Sequence, residues 1–143
     1  MSQTESFLVN MPQTLEDAFP DVDPGIEPLG GRVLVQLRRT AKKTKSGIVL
    51  VEETKDTVRW NNQVAKVVAL GALAFRNRQN MEPWAEGQWV QVGDYIRVPR
   101  WNGDRIEVPV KDSEEPVTFV VFNDHELISK IKGDPLAVKV YIL

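Results

Sequence analysis

The sequence predicts an all-β fold, a small β-barrel, on three observations. Short runs rich in β-branched residues recur along the chain, turn signals built from Gly, Pro, Asn and Asp separate them, and no stretch supports a long helix. At 143 residues the chain is one domain's worth, and its 42% hydrophobic and 27% charged residues are ordinary for a globular protein. A net charge of -2 singles out no class of partner.

Residues 1–27 read as an acidic N-terminal extension. Glu5, Glu16, Asp17, Asp21, Asp23 and Glu27 are not balanced by any Lys or Arg, and Pro12, Pro20 and Pro24 interrupt regular structure. Such a segment is expected outside the core and partly disordered. Its one amphipathic piece, Leu8 to Phe19, has the pattern of a short helix that could dock.

From Pro28 the pattern becomes β, and residues 28–131 are assigned to the barrel. Arg32 to Leu37 alternates as a half-buried strand after the Gly30-Gly31 turn, and Val64, Val67, Val68 and Leu70 make a more continuous strand ending at Gly71. Val92-Gly93-Asp94 turns into a strand from Tyr95 to Val98. Pro99 to Asp104 is a second turn, after which Ile106, Val108 and Val110 alternate. A charged turn, Lys111 to Pro116, precedes the strand Val117 to Phe122. Asn123 and Asp124 are expected to cap a single helical turn carrying Leu127 and Ile128. Residues 132–143 form a strand-like tail in which Val138, Val140 and Ile142 alternate with Lys139 and Tyr141.

Between the first two strands, Thr40 to Asn62 stands out. Gly47-Ile48-Val49-Leu50-Val51 is an apolar tip between the polar arms Lys42, Lys43, Lys45, Ser46 and Glu52, Glu53, Lys55, Asp56. An isolated apolar run of this length is ordinarily a buried strand. Here clean strands flank it on both sides, and a connection this long in a compact domain is usually functional or disordered. The expectation is a long mobile loop whose tip enters a partner's groove.

Several chemistries find no support. Without cysteine there is no disulfide framework, thiolate metal site or thiol nucleophile, which suits a reducing compartment. No apolar run reaches the roughly 20 residues that span a bilayer, and the start of the chain lacks a signal-peptide pattern, so a cytoplasmic protein without a membrane partner is expected. Glu52-Glu53 and Glu114-Glu115 sit in polar stretches where solvated charge is the ordinary reading, and His125 beside Asp124 reads as part of a cap. With no P-loop, dinucleotide fingerprint or His cluster, no enzyme, metal or cofactor is expected.

Pro28-Leu29-Gly30-Gly31-Arg32-Val33-Leu34-Val35, then Thr44 to Leu50, Ala65 to Gly71 and Val92-Gly93-Asp94 resemble, in order and spacing, the GroES-type (chaperonin-10) co-chaperonins. Asn123 to Ile128 is similar to that family's closing turn. The resemblance implies a GroES-like β-barrel assembled as a homo-oligomer, a heptameric ring. That ring would cap a GroEL-type chaperonin and enclose an unfolded client protein while the partner, not the lid, binds and hydrolyses ATP. It implies that the loop 40–62 is mobile when free and that Gly47, Ile48, Val49 and Leu50 form the chaperonin-binding tip. Residues 72–88 occupy the place of the family's roof hairpin in a bulkier form, with Phe75, Met81, Trp84 and Trp89: either Arg76 and Arg78 next to Phe75 line the roof, or the segment is a solvated surface loop with its aromatics tucked onto the barrel. Trp101 matches a position facing the folding chamber. Strands near Leu29 to Val35 and Phe119 to Ile131 are expected to pair across subunits. The chain departs from the family at Gly31, where an acid is usual, and at the single Gly47. With additions at both ends, it suits a bacteriophage member acting in the host cytoplasm.

Two readings from other classes compete. A nucleic-acid-binding barrel could use Lys42, Lys43, Lys45, Arg76, Arg78, Arg97, Arg100 and Arg105 with Trp60 and Trp101. A pI near 5.5 argues against it. A purely structural ring or virion component would leave the Ile48 to Leu50 tip as an exposed apolar liability with nothing to receive it.

Overall fold

The computed structural model describes residues 14–39, 64–111 and 116–137. The first element is a short helix, α1 (Leu15–Ala18), capped by Thr14, whose hydroxyl accepts the Asp17 N–H at 3.1 Å. Six strands follow: β1 (Arg32–Leu37), β2 (Val64–Leu70), β3 (Tyr95–Arg97), β4 (Asp104–Val108), β5 (Val117–Asn123) and β6 (Ser129–Lys130). They form one antiparallel sheet in the order β4-β5-β1-β2-β3-β6. The all-β expectation holds.

Alternation along β1 divides the interior. Val33, Val35 and Leu37 face a core shared with Val67 of β2, Ile96 of β3 and Phe122 of β5. Since β5 and β3 are separated by two strands, their common core requires the sheet to curl. Leu34 points the other way, into a second cluster with Val117 and Phe119. This explains why β1 is buried on both faces rather than half-buried as its pattern suggested.

The uneven apolar spacing of β2 also has a cause. Leu34 pairs with Ala69 but Val35 with Val67, so the register shifts between them. Such a β-bulge lets Val67 and Leu70, three residues apart, both face the core. Gly71 then passes against the Gly30 carbonyl, where a Cβ would collide with backbone, while its N–H donates to the Arg32 carbonyl at 2.8 Å. Gly71→Ala should therefore cost about 1–3 kcal/mol. An unchanged denaturation midpoint would show that this crossing yields freely.

The acidic segment differs from expectation. From Thr14 on it lies against the sheet, with Ala18 and Phe19 buried beside Val64 and Val22 packed on the Leu34 cluster. Gln36, buried on the Leu34 face of β1, donates its side-chain amide to the Pro20 carbonyl at 2.8 Å, and the Phe19 and Tyr95 rings lie 5.2 Å apart. Burying Ala18 and Phe19 outweighs the solubility of the surrounding acids, which remain exposed.

Two further expectations change. Asn123 caps a 3-10 turn (Asp124–Glu126), its N–H donating to Glu126 Oε1 at 2.7 Å, whereas Asp124 turns inward. Leu127 is buried and Ile128 is exposed, because the chain returns to extended geometry at Leu127. The expected seam from Leu29 to Val35 also fails from Arg32 on, since β1 is hydrogen-bonded on both sides, and β5 likewise. Among the described strands, β4 and β6 are the edges. Of the tail, only residues 132–137 are described, and they contain no strand.

Candidate functional site

Strand β2 runs between two ends of the barrel. Its start pairs with the end of β1 through Leu37 and Ala65, and the Arg38 N–H donates to the Val64 carbonyl at 2.8 Å. The connection 40–63 therefore leaves and rejoins the barrel at one closed rung. The other end of β2 leads through Gly71 into residues 72–88. Seven residues of strand put these ends about 20 Å apart. The tip residues Gly47, Ile48, Val49 and Leu50 lie outside the described residues, as do both glutamate pairs and the tail strand.

The loop root is held by the acidic segment. The Arg39 N–H donates to the Ala18 carbonyl at 2.9 Å, and its Nε to the Asp17 carbonyl at 3.0 Å. The turn of α1 thus fixes the last described residue before the loop. Its sequence signal was the Thr14 cap followed by Leu15-Glu16-Asp17, overshadowed by the surrounding acids and prolines.

At the opposite end, residues 72–88 fold as a hairpin with a bridge between Arg76 and Pro83. The Asn77 N–H donates to the Glu82 carbonyl at 2.8 Å, and Arg76 Nη1 donates to the Met81 carbonyl at 2.9 Å. Phe75 does not line a roof: it is 2% exposed and packs its ring 5.3 Å from Trp84 and 6.1 Å from Trp89. It adopts a φ of 63°, which costs a bulky residue about 1–3 kcal/mol. Offsetting this, its N–H donates to Asp124 Oδ2 at 2.9 Å, and its carbonyl accepts the Trp84 N–H at 3.0 Å. A buried N–H needs such an acceptor, which explains why Asp124 turns inward.

Arg76 and Arg78 are exposed and line one cavity, joined by Arg32 and His125. Sequence reading missed these last two, because only the sheet register brings Arg32 opposite Asn123. Trp101 stands apart, 79% exposed, with the Arg100 guanidinium 4.6 Å from its ring centre. It projects from a turn closed by Gly103 (φ 97°), which lies against Val120 and Phe122 where no side chain would fit. Among the described residues no group of three or more His, Asp or Glu could hold a metal, and no helix is long and apolar enough to cross a membrane.

The family model of the chaperonin 10 kDa subunit matches residues 25–131. The chain is 36% identical to the co-chaperonin GroES of Parageobacillus thermoglucosidasius, over 74% of this chain and 98% of that protein. It is 34% identical to the mitochondrial 10 kDa heat shock protein of Saccharomyces cerevisiae, over 76% of this chain and 91% of the relative. With the co-chaperonin GroES of Clostridium beijerinckii the identity is 38% over 63% of this chain and 83% of that protein.

Proposed function

Because this chain belongs to the chaperonin 10 kDa subunit family, we propose that it is a co-chaperonin whose subunits form a ring-shaped lid on a GroEL-type chaperonin and enclose a client protein. The observation that supports this is the β1–β2 rung: the long connection whose sequence contains the apolar triplet Ile48-Val49-Leu50 has its root at the end of the barrel opposite the hairpin 72–88. A lid needs that polarity, with attachment at one end and a roof at the other. The lid itself performs no catalysis and holds no cofactor; ATP is bound and hydrolysed by the chaperonin. The working compartment is the cytoplasm, that of a host cell if the protein is phage-encoded.

Attachment by such loops is weak singly and strong together. Burying each of Ile48, Val49 and Leu50 contributes about 1.5–3 kcal/mol, and ordering the loop offsets much of it. On a ring, later loops bind at high effective concentration, so avidity holds the lid and loop entropy keeps it releasable. The direct test is capture by a GroEL-type chaperonin with and without nucleotide. Electron microscopy should show capped cylinders, and bound chaperonin should protect the bonds after Lys42, Lys43, Lys45 and Lys55 from trypsin. Equal cleavage with and without partner would sink the reading.

The ring is proposed to be a heptamer. With β1 and β5 occupied within the subunit, the seam falls to the β6 edge with exposed Ile128 and to the extended chain around Ile26 and Leu29, the latter 71% exposed. Pairing these across subunits would cover an edge and an apolar strip that otherwise invite aggregation. Native mass spectrometry should give a single species of seven chains; a stable monomer at micromolar concentration would overturn it.

A further inference from the structure

We propose that the cavity between the hairpin 72–88 and the β5 corner binds an oxyanion of the phosphate type. It has a volume of about 530 Å³ and is lined by Arg32, Arg76, Arg78 and His125, with Asp124 as the one acid and Trp84 as a wall. Four cationic or protonatable groups thus face one carboxylate in a chain whose overall charge is -2. This charge is local and is built by the fold from residues far apart in sequence.

That carboxylate is already committed. Asp124 Oδ2 accepts the buried Phe75 N–H, and Oδ1 lies 3.6 Å from His125 Nδ1. Arg32 and Arg76 each spend a donor on a backbone carbonyl, those of Leu29 and Met81, which orients the guanidinium without neutralising it. Arg78 makes no hydrogen bond or ion pair among the described residues. Its Nη2 and Asp124 Oδ2 flank Gly31, 3.8 and 3.2 Å from where a Cβ would stand.

Guanidinium forks match phosphate oxygens in a bidentate way, and several converging on one cleft favour a multiply charged oxyanion over a halide. Free phosphate and the terminal phosphate of a nucleotide share this chemistry. The site rests on the fold and not on the co-chaperonin reading, and it is tested without a chaperonin.

Full-length protein is titrated at fixed ionic strength with inorganic phosphate, ATP and sodium chloride, followed by calorimetry and by the fluorescence of Trp84, with Trp84→Phe identifying its signal. Saturable phosphate binding that ATP competes away is expected, with no saturation by chloride. ATP binding more tightly than phosphate points to the nucleotide, and equal affinity points to the free ion. Arg78→Ala should weaken binding at least tenfold and His125→Gln by less, while Lys111→Ala should leave it unchanged; circular dichroism confirms folding of each. Absence of saturation, equal affinity in Arg78→Ala, or preference for a polyglutamate peptide that phosphate does not displace would overturn the proposal.

Discussion

Val49→Asp abolishes capping of a chaperonin and leaves the barrel folded: this is the largest functional effect expected of any single substitution here. The carboxylate would enter an apolar groove without a partner, at a cost of several kcal/mol. It would also remove the roughly 1.5–3 kcal/mol that the valine contributes. In a ring the loss recurs at every subunit, and avidity multiplies it. Chaperonin pull-down with nucleotide should fall to background while circular dichroism and the unfolding midpoint stay at parental values. If Val49 were instead a core residue, the same change would unfold the domain, so the two readings predict opposite outcomes on one mutant. Retained capture by a folded Val49→Asp protein would remove the tip from the binding site.

Phe19→Ala is expected to cost about 3 kcal/mol or more of stability, the largest structural effect outside the strands. Phe19 is 5% exposed, sealed by Tyr95 and by the cluster that includes Val64, Ile131 and Leu136. Truncation there loses the transfer energy of the ring and leaves a cavity that the sheet cannot close. The loss should appear in denaturant unfolding at fixed protomer concentration, since assembly contributes to apparent stability. A change under about 0.5 kcal/mol would return the acidic segment to the status of an appendage. The same patch has an alkaline signature. Burial raises the Tyr95 phenol above its ordinary pKa of 10.0. A group raised in the folded state contributes stability present below its unfolded pKa and lost as pH rises through the folded value. Docking of the Phe19 segment should therefore weaken above pH 10, and Phe19→Ala should bring the Tyr95 titration back toward 10.

Because α1 supplies the carbonyls that hold Arg39, the acidic segment also ties down the root of the connection 40–63. A fold that only needed solubility from its acids would not place Ala18 and Phe19 in the core. The additions to the barrel are part of its construction from Thr14 onward.

How much of this was legible in the chain follows from how local each signal is. Apolar alternation and Gly or Pro punctuation are local, so β1, β2, β5 and the turns at Gly93 and Gly103 could be read directly. The family motifs are short ordered strings, and they were legible for the same reason. What depended on chains meeting across the sheet was not. The Leu34–Val35 bulge made β2 look merely continuous, and the closure of β1 on both edges moved the proposed seam to β6 and the chain around Leu29. Phe75 was read with the roof because residues 72–88 fall at the position of the family's roof hairpin. It is buried because Asp124, far along the sequence, accepts its N–H and two tryptophans close over its ring. Composition marked residues 1–27 as an acidic extension outside the core, yet Ala18 and Phe19 are buried and draw Thr14 to Phe19 onto the barrel. Period and punctuation are properties of neighbours in the chain, whereas burial and charge clustering are properties of neighbours in space.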